Sequence, residues 1–77
     1  GHGAAGKIIK INLPTMVVLG SDNLEKVIKV DDGTLVRSFR DTIKVSDLKV
    51  GDAIVAIGGD DNDDSQIEVK LIRLLPN

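Results

Sequence analysis

The chain has no cysteine, no tryptophan and no tyrosine, and Phe39 is its only aromatic residue. Without cysteine there is no disulfide, no thiolate nucleophile and no Cys-ligated zinc, and the redox compartment is unreadable. His2 is the only histidine. It sits in a Gly/Ala-rich stretch where nothing fixes the orientation or tautomer of the ring, so it makes a poor ligand or base. That disfavours haem capture and leaves Ser21, Ser38, Ser46 and Ser65 without a general base beside them. Neither sign of charge is in excess: ten Lys and Arg against twelve Asp and Glu, net -2. Strong attraction to phosphate backbones or anionic membranes needs a basic surplus. No apolar run approaches the ~20 residues that span a bilayer, so no membrane contact is expected of this domain itself.

What the chain does have is Val, Ile and Leu, which make up most of a 42% hydrophobic content. Branched side chains of this kind pack well on a pleated sheet. Seventy-seven residues suit a single domain. Gly1 to Gly6 is small and Gly/Ala-rich and reads like a processed or tag-cleaved terminus, so residues 1–5 are expected to be a flexible tail before a domain over 6–76. Strands are expected from Lys7 to Ile11, Thr15 to Leu19, Leu24 to Val30 and Leu35 to Phe39. Two more are expected over Ala53 to Ile57 and Gln66 to Leu75. Pro14 belongs at a strand end because it cannot donate to a ladder. Asp31-Asp32-Gly33-Thr34 is a turn signal, with Gly33 free to take φ > 0. Ser46 is placed to cap a short helical turn, with Leu48 and Val50 tucked beneath the sheet. The phase of the last strand slips at Leu71-Ile72, as at a bulge where a sheet curls closed.

This pattern predicts an all-β fold: a small OB-like barrel of five or six strands with one short helical turn. Closure removes the sticky edges that a small sheet would otherwise expose. The run Asp47-Leu48-Lys49-Val50-Gly51-Asp52, an apolar strand ending at Gly58, and Ile67-Glu68-Val69-Lys70-Leu71-Ile72-Arg73 carry a resemblance, together with Gly6-Lys7-Ile8-Ile9 and Thr42-Ile43-Lys44. The sequence resembles a bacterial cell-envelope domain family of unknown function with an OB-like small barrel. Ser65 stands where that family usually has Gly, and Val69 where it has a small Ala. The resemblance implies an extracytoplasmic location and a place in a larger envelope protein. It assigns no chemistry.

Two groups of residues are candidates for binding. Asp60, Asn62 and Asp64 alternate as the first ligands of a calcium loop would, but Ser65 replaces the required Gly and Leu71 the bidentate Glu. The expectation is therefore a solvated loop, with no metal and no cofactor. Lys26, Lys29, Arg37, Arg40, Lys44 and Lys49 give the middle of the chain a cationic bias, nearly cancelled by Glu25, Asp31, Asp32, Asp41 and Asp47; Lys26, Lys29, Arg37 and Arg40, with Phe39 among them, are the binding candidates. Single-strand binding rests on aromatic stacking worth ~1–3 kcal/mol per base. Phe39 alone could supply it, and a lone Phe in so small a domain is expected in the core. The expected function is non-enzymatic: a structural or protein-interaction barrel, a monomer or weak homo-oligomer, with nucleic acid disfavoured as a partner. The alternative is weak single-stranded nucleic-acid or oligosaccharide binding through an OB-like face. A buried Phe39 would favour the first reading, and an exposed one in a basic groove the second.

Overall fold

The computed structural model describes residues 3–59 and 66–76. Among the described residues, seven strands and one 3-10 turn run in the order β1 (Gly3–Asn12), β2 (Thr15–Leu19), β3 (Glu25–Lys29), β4 (Leu35–Ser38), β5 (Asp41–Ile43), the turn Val45–Asp47, β6 (Ala53–Gly58) and β7 (Ile67–Leu74). The fold is a small all-β barrel. Five strands close it in the cycle β1-β2-β3-β7-β6, with β6 returning to β1. Every pairing in the cycle is antiparallel except the seam, where β3 and β7 run parallel through Ile28↔Ile67 and Lys29↔Glu68.

The other two strands extend the sheet beyond the barrel. One edge of β7 is divided between two neighbours. Its first residues pair with β3, and Leu71 to Leu74 pair in parallel with Leu35 to Ser38 of β4. β5 then folds back on β4 and forms the outer edge. At the division the Thr34 hydroxyl donates to the Val69 carbonyl at 2.9 Å, fixing the crossover from β3 to β4. The turn at Asp31–Thr34 forms as an Asx turn: the Asp31 carboxylate accepts from the Gly33 N–H at 2.7 Å. Gly33 is not among the glycines with positive φ, so the side-chain bond, and not a special glycine angle, makes this turn.

Two bulges let so few strands close. On β1 the register skips between Ile8 and Lys10, and on β7 two residues, from Val69 to Leu71, oppose the single step from Gly58 to Ile57. A bulge adds an unpaired residue, bends the strand and increases its twist. Gly6 lies where β1 passes from β6 to β2, its φ is 156°, and a Cβ there would collide with the Leu19 carbonyl. The core is formed by fully buried Ile8, Met16, Ile28, Ile54 and Ile72, packed with Val18, Val36 and Val69. Each such side chain contributes about 1.5–3 kcal/mol through burial.

Several expectations are corrected. Residues 3–5 are not a tail; they pair with Ile57, Ala56 and Val55 of β6. Gly1 and His2 lie outside the described residues. Asp41–Ile43 forms a seventh strand that the apolar pattern did not mark, since its three residues carry one branched aliphatic side chain. The 3-10 turn is capped from Asp47, whose carboxylate accepts from the Lys44 N–H at 2.9 Å, and Ser46 lies exposed within it. Leu48 is buried as expected, but Val50 is 61% exposed. Gly51, with φ of 100°, turns the chain so that its N–H donates to the Ile8 carbonyl and Asp52 accepts from the Ile8 N–H.

Candidate binding face

The clearest departure is Phe39. It is 71% exposed, at the first corner of the two-residue turn joining Ser38 to Asp41, with φ of 56°. Positive φ at the first corner alone is the pattern of a turn that prefers glycine there, and a bulky residue is strained in it. Arg40 is the other corner. The Arg37 guanidinium reaches along the turn and donates from Nη2 to the Arg40 carbonyl at 3.3 Å.

Strand pairing splits the five binding candidates. Lys26 and Lys29 are on β3, whereas Arg37, Phe39 and Arg40 are on the β4–β5 hairpin, and β3 does not pair with β4. Lys26 sits at one mouth of the barrel beside Ala4, Gly20, Asp22 and Leu24 and donates to the Gly3 carbonyl at 3.3 Å. Lys29 is registered opposite Glu68, so its charge faces one of opposite sign. The five do not form a single basic groove. Asp60, Asn62 and Asp64 lie outside the described residues. Among the described residues no group of three or more His, Cys, Asp or Glu side chains could hold a metal ion.

In place of that groove the sheet builds a different face. Directly paired residues share a side of the sheet. Val36 and Ile72 pair and are buried, so the positions on either side of them point outward. One outward row reads Leu35, Leu71, Ile57 and Gly3 across β4, β7, β6 and β1. The next reads Thr42, Arg37, Arg73, Val55 and Ala5 across β5, β4, β7, β6 and β1. Leu35 is 42% and Ile57 48% exposed. Neighbouring strands are about 4.8 Å apart, so the face is about 15 Å wide from β4 to β1. At its centre two arginines stand directly opposite each other. Arg37 Nε is buried and has no hydrogen-bond partner.

Leu35, Val55, Ile57, Leu71 and Arg73 were not among the binding candidates that the sequence offered. The alternation after the phase slip does place Arg73 outward between Ile72 and Leu74. What no local pattern gives is the parallel pairing of β4 with β7 that sets Arg37 beside it.

The chain is thus a small closed all-β barrel with a two-strand extension and an outward face of aliphatic residues around an arginine pair. No protein-family model, curated protein or solved structure matches it.

Proposed function

We propose that this chain is a non-enzymatic OB-like barrel that serves as a protein-interaction unit of a larger bacterial envelope protein. The OB-like description is supported by a five-stranded closed barrel whose long, bulged first strand is shared between β6 and β2. The envelope setting rests on the sequence resemblance alone. The observation that carries the interaction reading is the outward row of Leu35, Leu71 and Ile57 beside Arg37 and Arg73. Aliphatic side chains half exposed next to arginine suit the buried centre of a protein interface, where Arg is enriched and Lys and acidic residues are depleted.

Exposed Phe39 between Arg37 and Arg40 meets one half of the criterion for the second reading, single-stranded nucleic-acid or oligosaccharide binding; the basic groove that was its other half is not formed. Phe39 supplies one stacking platform, where sequence-tolerant strand binding uses a succession of them along a positively charged groove. Lys26 and Lys29 do not join it, and the chain carries net charge -2.

Panning a random-peptide display library against the barrel, in parallel with an amide NMR titration using a mixed-sequence single-stranded oligonucleotide at low salt, separates the two. The interaction reading expects enriched peptides that shift Leu35–Arg37, Val55–Ile57 and Leu71–Arg73, and no saturable shifts with the oligonucleotide. Oligonucleotide shifts centred on Phe39 that fade with salt, without peptide enrichment, would replace it with the second reading.

A further inference from the structure

We infer that the outer face of β4, β7 and β6 takes an acidic, apolar segment of a partner protein, its carboxylates on Arg37 and Arg73 and its apolar side chains on Leu35, Leu71 and Ile57. This rests on the protein-interaction reading and names the partner's chemistry.

The pairing Arg37↔Arg73 is direct, so the two cationic stems leave the sheet with Cβ atoms about 5 Å apart. Like charges so placed repel, and no described residue of the face neutralises them. Arg37 uses one N–H on the Arg40 carbonyl, and its Nε is buried with no acceptor. Arg73 meets no acceptor among the described residues. Glu68, on the same strand, lies about 16 Å away at ~3.3 Å per residue and is registered with Lys29. Asp41 pairs with Ser38, whose β7 partner Leu74 packs on the core, so that row points to the other side of the sheet. Lys70, at the β7 bulge, adds a further positive charge near Leu71.

With no carboxylate for them among the described residues, charge complementarity points to the carboxylates of a partner, and a guanidinium receives them with paired N–H groups. A second copy applying the same face would bring four arginines together with no carboxylate between them. The apolar row and the arginine row are two residues apart on each strand, about 7 Å. Alternate side chains of an extended peptide lying along these strands have the same spacing. An acidic residue over the arginines thus carries its neighbour two positions along onto Leu35, Leu71 and Ile57.

Three synthetic peptide pools test this by NMR titration: one of Glu, Leu, Val and Ser, one with Lys replacing Glu, and one with neither charge. Saturable shifts from the Glu pool alone, centred on Arg37 and Arg73 and weakened by salt, are expected. Arg73→Glu, at an exposed position, should lower that affinity at least about tenfold, and Arg37→Glu/Arg73→Glu should transfer binding to the Lys pool. Equal binding of the neutral and Glu pools, preference for the Lys pool, or shifts at the barrel mouth around Lys26 would overturn the acidic-partner inference while leaving a peptide-binding module. No shifts from any pool at millimolar concentration would overturn both.

Discussion

Phe39 occupies a turn corner whose backbone favours glycine, with most of its ring in solvent. Left-handed backbone costs a non-glycine residue roughly 1–2 kcal/mol, and the exposed ring recovers little of that by burial. Phe39→Gly is therefore expected to raise stability by up to about 1 kcal/mol, after glycine's own entropy cost is subtracted; a urea midpoint measures it. A loss larger than about 1 kcal/mol would show that the ring packs after all. Gly6 makes the opposite case. Gly6→Ala drives a methyl into the Leu19 carbonyl at the crossing from β6 to β2, and more than about 2 kcal/mol should be lost in the same assay. Neither position was legible as such. An Arg-Ser-Phe-Arg-Asp run contains no turn residue of the Gly or Asn type, so Phe39 read as the end of a strand and, being the only aromatic, as core.

Strands were legible where a short apolar run lay between turn residues. β2 spans Thr15–Leu19 as the apolar pattern indicates, and β6 runs one residue further than expected, to Gly58. The bulges also leave a trace in the sequence. Val69 and Ile72 are both buried three positions apart, and so are Ile8 and, in part, Ile11, where an unbroken strand would repeat every two. The slip at Leu71-Ile72 was recognised, and its twin at Ile9 was not. Pairing between distant strands was beyond reach, because β4 meets β7 only through the closed barrel. That pairing yields the like-charge contact Arg37↔Arg73. Arg73→Glu replaces it with an opposite pair and should raise stability by about 0.2–1 kcal/mol, read from the thermal midpoint at low salt. An unchanged or lower midpoint would mean the two guanidiniums do not feel each other.

At the scale of the molecule, closure rests on a short parallel seam and a core of a few branched side chains. Ile54 lies on the central strand β6, fully buried. Ile54→Ala should cost about 2–5 kcal/mol, a large share of the ~4–12 kcal/mol a domain of this size commands, and denaturant unfolding should show it. The hydrophobic pattern made this core readable in part: of the apolar positions it marked on β7, Val69 and Ile72 are buried, whereas Leu71 turns outward past the bulge. The outward face was not readable, because its aliphatic members look like ordinary strand residues until the topology sets them side by side. Whether those members serve binding is decided most directly by Leu35→Thr/Ile57→Thr, followed by peptide capture and unfolding on the same sample. Both positions are half exposed, and both substitutions place there a β-branched side chain suited to a strand. The account predicts a fold within about 1 kcal/mol of the parent and loss of peptide binding. Undiminished binding by a folded double variant would contradict it.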